Sequence, residues 1–154
     1  MLYTKEEFKK IREKLSAESD SVVFTNGCFD ILHRGHIEYL NQAKLLGKYL
    51  VIGLNSDSSV KKLKGENRPV NNETDRAFVL CNLKCVDAVI IFGQDTPYDL
   101  IKSVKPDFLV KGGDWKEEQI VGSDIVKGYG GKVISLKFVD SYSTSDIIER
   151  IKNQ

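Results

Sequence analysis

No stretch of this sequence is apolar for long enough to cross a bilayer. Runs such as "AVIIF" fall far short of the ~20 residues a spanning helix needs. Cysteine is scarce: three in 154 residues, an odd number at irregular spacing, which argues against a disulfide framework and agrees with a reducing compartment. An excess of one charge is also missing. The 23 Lys and Arg against 22 Asp and Glu leave a net charge of +1, so no global basic field attracts long nucleic acid, and any anion site has to be local. The opening "MLYTKEEFKKIREKL" has no apolar signal core and reads as an amphipathic helix. The expectation is a cytoplasmic protein with no membrane and no nucleic-acid partner. Internal repeats, linkers and low-complexity tracts are absent. What remains is ordinary folded composition, 41% hydrophobic and 29% charged, in a chain long enough to bury one sizeable core.

Two familiar phosphate loops are absent as well: there is no G-x-x-x-x-G-K-[ST], and no G-x-G-x-x-G follows the first strand. The pattern that is present alternates strand and helix. "SVVFTNG", "YLVIGLNS", "DAVIIF", "DFLVKGG" and "KVISLKF" are short apolar runs expected as buried strands. Between them, "HIEYLNQAKLLG" has Ile37, Leu40, Ala43 and Leu46 on one side and Gly47 as a stop. "TDRAFVLCNLK", "PYDLIKSVK", a short piece of "SDIVKGYGG" and "TSDIIERIKN" read as further helices. "DSSVKKLKGENRPVNNE" reads as a polar interruption. Five β-runs alternating with helices predict an α/β, doubly wound (Rossmann-like) five-stranded parallel sheet in a single domain. Residues 1–20 are expected to hold a leading helix and residues 21–154 the domain itself.

In such sheets ligands bind beyond the carboxyl ends of the strands. Here every strand end carries polar or glycine chemistry: "TNGCFD", "NSD", "FGQDT", "KGGDW" and "DSYSTS". The first of these leads into His33-Arg34-Gly35-His36, which holds both histidines of the chain. Gly35 has no side chain to keep a ligand from the backbone. His36 would begin the helix, where free N–H groups and the dipole favour an anion, with His33 on the turn before it. Both imidazoles could then face one phosphate. A zinc site is the competing reading, with Cys28 nearby and Cys81 and Cys85 at i, i+4, but the His33/His36 spacing is too short for the usual ligand sets. Buried free thiols are the expectation for the cysteines.

"TNGCFDILHRGH" resembles the T-x-G-x-F-D-x-x-H-x-G-H signature of the nucleotidyltransferase superfamily that includes cytidylyltransferases. Within it, "NSDSSVKKLKGENRPVN", "DTPYDLIKSVKPDFLVKGGDW" and "YSTSDII" resemble the adenylyltransferases of ADP-heptose synthesis, over most of the chain from about Val22. That domain is often fused to a sugar kinase, so this chain resembles the free-standing form. The resemblance implies transfer of AMP from ATP to D-glycero-D-manno-heptose 1-phosphate, with Mg²⁺ accompanying ATP and pyrophosphate leaving. It implies a possible homodimer too, since the superfamily is often dimeric. Two other functions stand beside it: a cytidylyltransferase acting on an alcohol phosphate such as glycerol 3-phosphate, and a non-catalytic nucleotide-binding domain.

The attacking phosphate oxygen is already anionic near neutral pH, its second pKa being about 6, so no general base is required. Donors and cations are what the chemistry needs. His33 and His36 supply the first. Lys61, Lys62, Lys64 and Arg68 cluster in "KKLKGENR", which reads as a loop able to close over a triphosphate; the resemblance favours Lys64 and Arg68. Arg76 falls in a first helical turn, where the dipole disfavours a cation. Either an anionic ligand or a pair with Glu73 or Asp75 resolves that conflict, and the resemblance places it near phosphates. Ser143, Thr144 and Ser145 precede the last helix as N-cap or phosphate holders. Upstream of them cytidylyltransferase relatives carry an arginine where this chain, like the heptose subgroup, does not: it has Phe138. Tyr142 and Asp146 differ from the subgroup's more usual residues, which bears on sugar choice. Lys111, Gly112, Gly113 and Asp114 would take base and ribose, with Trp115 as a stacking face. The remaining nucleotide-binding candidates are Thr25, Asn26, Gly27, Cys28, Phe29, Gly35, Asn55 and Asp57, and Asp30 is the candidate for an acceptor hydroxyl.

Overall fold

The computed structural model describes residues 1–137 and 142–154. The five expected β-runs are strands β1 (Val22–Gly27), β2 (Tyr49–Asn55), β3 (Ala88–Phe92), β4 (Phe108–Gly112) and β5 (Lys132–Leu136). They lie parallel in the order β3-β2-β1-β4-β5. Parallel strands need long crossovers, and helices supply them: α2 (Arg34–Lys44), α3 (Asp57–Lys64) with α4 (Glu73–Cys81), α5 (Tyr98–Val104) and α6 (Ser123–Gly128), while α1 (Lys5–Ala17) precedes β1 and α7 (Thr144–Lys152) follows β5. A 3₁₀ turn at Glu117–Gln119 precedes α6. The architecture is the doubly wound α/β sheet expected from the alternating pattern.

Side-chain alternation along the strands divides the core between the two faces of the sheet. Phe24 and Val51 pack with Phe8, Ile90, Ile101 and Val126 under α1, α5 and α6. Val23, Leu50 and Ile52 pack with Leu40, Ala43, Ala77 and Leu80 under α2 and α4. Helix α1 starts at a reciprocal cap in which the Thr4 hydroxyl accepts from the Glu7 N–H and the Glu7 carboxylate accepts from the Thr4 N–H. Its Phe8 is fully buried, which contributes about 1.5–3 kcal/mol. The residues before it cover the β3 edge: the Tyr3 N–H donates to the Val89 carbonyl and the Val89 N–H to that of Met1.

One expectation is corrected. The segment read as a polar interruption contains α3, so Lys61, Lys62 and Lys64 lie on a helix and not on a loop. The Ser56 hydroxyl caps it by accepting from the Ser59 N–H, Asp57 sits in the first turn, and the three lysines complement the dipole in the last. Gly65, at φ 97°, ends it. With few apolar residues in the segment the 3.6-residue period was faint, and the caps were the available signal.

Candidate active site

The site begins with a gap in the sheet. Strands β1 and β2 pair over six positions, whereas β1 and β4 pair only at Val23 with Phe108 and Phe24 with Leu109. No ladder joins Thr25–Gly27 to Val110–Gly112, and it is here that the strand order reverses. A cleft of about 650 Å³ opens at these strand ends. Asn26, Gly27, Lys111 and Gly112 come from the two parting strands, Asn55 from β2, and Cys28, Phe29 and Asp30 from the loop after β1. His36, Lys64, Arg68, Trp115, Thr144 and Ser145 complete the polar wall.

Helix α2 begins at Arg34, two residues before the expected start, with His33 as an extended N-cap residue. His36 is therefore in the first turn, and the i, i+3 spacing brings the two rings together on one side of the helix. Phe29, at φ 43°, holds a backbone conformation unfavourable for a bulky residue and sets its ring 5.5 Å from that of His36. Burial, reinforced by the neighbouring His33, lowers the His36 pKa to about 4; burial lowers that of His33 too. Both rings are therefore mainly neutral near pH 7. Only His36 lines the cleft. His33 opens into a smaller neighbouring hollow with Tyr142, Ser143, Asp146 and Arg150, which corrects the expectation that both imidazoles face one phosphate. Gly35 is corrected as well. A Cβ there would meet the Tyr142 Cβ at 2.9 Å and the His33 ring at 3.2 Å, so the space its hydrogen leaves is taken by protein.

Three cations line the cleft: Lys64, Arg68 and Lys111. Lys111 projects from β4 in a half-buried position, and burial lowers its pKa. Neither it nor Lys64 has a carboxylate partner among the described residues. Lys62 instead pairs with Asp95 at the exposed rim, 2.9 Å apart, and Lys61 points elsewhere in solvent.

The carboxylate of Asp30 is saturated. It accepts from Arg68 Nε at 2.6 Å and from the Val70 and Asn71 N–H groups at 2.9 Å. Burial pushes its pKa up, but these bonds outweigh it and leave the group below the ordinary carboxylate value. An acceptor hydroxyl thus has no free oxygen to find there, and Asp30 instead clamps the segment after α3. Arg76 is corrected in the same sense. It is 2% exposed, and its guanidinium donates to Asp57 Oδ1 at 2.7 Å and to the carbonyls of Asn71 and Cys28. The anion that answers the dipole conflict is Asp57, not a ligand and not Glu73 or Asp75. Asp57 is committed to this tie and does not line the cleft.

Thr25 is buried under the sheet end, its hydroxyl 2.6 Å from that of Tyr39. Gly113 continues the β4–β5 pairing through its N–H to the Leu136 carbonyl, and Asp114 is exposed outside the cleft. The Ser143 hydroxyl caps α7 by accepting from the Asp146 N–H, while Thr144 and Ser145 reach the cleft. Trp115 lines it too, its indole N–H donating to the Gly112 carbonyl at 3.0 Å. Phe138 lies outside the described residues.

Tyr39, Leu63, Thr96, Pro97 and Val121 were not anticipated as lining. Thr96 stands in a strand-end segment already marked as polar. The apolar three, Leu63 on α3, Pro97 at the cap of α5 and Val121 in the turn before α6, carry no chemical signature. All three cysteines are free thiols, and burial raises the pKa of Cys28, so the thiol that lines the cleft is not an activated nucleophile. Among the described residues no three His, Cys, Asp or Glu are grouped to hold a metal ion, and no helix is long and apolar enough to cross a membrane.

A family model described as Cytidylyltransferase-like matches residues 24–150. The chain is 53% identical over 148 residues to the bifunctional protein HldE of a Nitratiruptor species, covering 96% of this chain and 31% of that protein. It is 52% identical over 144 residues to the protein of the same name from Helicobacter pylori, covering 94% and 30%. The chain thus spans about a third of the length of these relatives. Among solved structures, the lipopolysaccharide core biosynthesis protein of Thermoplasma volcanium superposes with a TM-score of 0.65 at 29% identity, over 80% of this chain and 99% of that one.

Proposed function

The chain belongs to the cytidylyltransferase-like family, and on that premise we propose that it is a nucleotidyltransferase moving AMP from ATP to a sugar 1-phosphate. The acceptor is D-glycero-D-manno-heptose 1-phosphate, and the products are ADP-heptose and pyrophosphate. The observation that carries this reading is the balance of charge in the cleft. Lys64 and Lys111 face it with no carboxylate partner among the described residues, beside His36, while both oxygens of the Asp30 carboxylate are bonded. Such a site favours an anion with several negative oxygens and offers no nucleophile of its own.

The chemistry asks for little more. An oxygen of the sugar phosphate attacks the α-phosphorus, a new P–O bond forms, and the bond to the bridging oxygen breaks with its electron pair leaving on pyrophosphate. Charge gathers on the equatorial and leaving oxygens, where preorganised donors act most strongly. His36 donates from the first turn of α2, Lys111 from the end of β4, and Lys64 from the end of α3. The start of α7 adds the Ser145 hydroxyl and backbone N–H groups, while the Thr144 hydroxyl donates to the Ile31 carbonyl. Mg²⁺ would enter as a companion of ATP; Asp30 is already bonded, and Asp95, in an exposed pair with Lys62 at the rim, is the lining carboxylate that could face it. When bound it neutralises charge on the phosphates. The reaction is assigned to the cytoplasm, and the chain is expected to act as a homodimer.

Purified protein with Mg²⁺, ATP and heptose 1-phosphate is expected to release pyrophosphate far faster than with CTP and glycerol 3-phosphate. The reverse ranking selects the cytidylyltransferase. Nucleotide binding without release from any such pair selects a non-catalytic binding domain.

A further inference from the structure

Beside the cleft lies a second groove, of about 820 Å³, between residues 67–70 and the outer face of α7. Among the described residues, Arg68 and Ser145 line both cavities. Phosphoryl transfer brings attacking oxygen and phosphorus to about 3–3.5 Å before reaction, so the seats of the two substrates must share a wall. This wall carries a fixed cation. Arg68 donates through Nε to the saturated Asp30, which sets the plane of the guanidinium, and its two terminal nitrogens have no partner among the described residues.

The groove beyond that wall has the chemistry of a carbohydrate site. Asn67, Glu149, Lys152 and Asn153 offer side-chain donors and acceptors with no partners among the described residues, while Val70 and Ile148 offer an apolar strip for the C–H face of a ring. A three-carbon alcohol phosphate would leave most of this volume to water. We propose that this groove is the acceptor subsite, seating the polyhydroxylated ring of a sugar 1-phosphate while Arg68 presents its phosphate to the nucleotide cleft. The assignment rests on the transferase reading and adds to it where the acceptor lies and why a ring fits better than glycerol.

The test uses the exposed residues Glu149 and Lys152, whose side chains make no bond among the described residues. The wild type and the double variant Glu149→Ala, Lys152→Ala are compared in pyrophosphate release, and in calorimetric binding of heptose 1-phosphate with a non-hydrolysable ATP analogue present. The double variant is expected to raise KM and Kd for the sugar phosphate tenfold or more, with the KM for ATP and the melting temperature unchanged. An unchanged sugar KM and Kd overturns the subsite, as does a parallel rise in the KM for ATP or a wild type that binds no sugar phosphate. A wild type that binds heptose 1-phosphate, loses it in the variant and yet releases no pyrophosphate upholds the subsite and ends the transferase reading.

Discussion

The imidazole rings of His33 and His36 stack with their centroids 3.9 Å apart, and each buries an Nδ1 that has no partner among the described residues. An unmet buried polar atom costs the fold about 1–3 kcal/mol, so neither ring is there for stability. Only His36 meets the cleft; His33 backs it and limits where its ring can turn. Donor and support are two different tasks on one helical turn.

Replacing His36 with Ala should therefore lower kcat/KM for pyrophosphate release by about 10²–10³, the usual cost of one preorganised donor. The melting temperature should move by no more than a few degrees, because the lost ring contacts are offset by removal of the unmet nitrogen. Steady-state kinetics beside thermal melts decide it. A large drop in melting temperature with turnover intact would make the ring a packing residue.

The same ring gives stability a pH dependence of known sign. Its folded pKa of about 4 lies below the ordinary 6.5, so the unfolded chain takes up this proton first as pH falls. Its contribution is complete above about pH 6.5 and is lost between 6.5 and 4. Allowing for the part of the ring still in solvent, the loss is on the order of 2 kcal/mol. Urea unfolding at pH 7 and pH 4.5 should show His36→Gln losing less stability than the wild type over that interval. Equal losses would mean that the ring does not titrate in this window.

Arg76 predicts the opposite balance from His36. Arg76→Ala removes three bonds, one to the loop after β1, one to the start of α3 and one to the Asn71 carbonyl just before α4, and it should destabilise the protein by about 3 kcal/mol. Whatever activity survives should show the wild-type KM for ATP at temperatures where the variant is folded. A raised KM for ATP in a fully folded variant would return Arg76 to the phosphates.

Lys111 is a half-buried cation without a counter-ion among the described residues, so Lys111→Met should keep or slightly raise stability while raising the KM for ATP at least tenfold. A lost charge-assisted bond costs about 1.5–3 kcal/mol, which is sufficient for that change. Melting curves and initial rates on the same preparation read both effects. Unchanged affinity for ATP would place the triphosphate elsewhere.

The sequence alone determined the five buried strands, most of the helices and the strand ends at which the site would gather, because apolar period and capping act within a few residues of one another. It also marked the H-x-G-H turn and the residues Lys64, Arg68 and Lys111, all of which reach the same region of the fold. Helix α3 was missed where its period was faint, although its cap and its lysines lay in plain order. Only the tertiary structure decided how the polar side chains were spent. Asp30 meets Arg68 from 38 residues away, and Arg76 meets the Cys28 carbonyl from 48. Bonds over such separations follow from which segments the core brings together, and no local pattern records them. For the same reason a lysine left without a partner and an aspartate with both oxygens engaged look alike in one dimension, and only packing tells the free charge from the committed one.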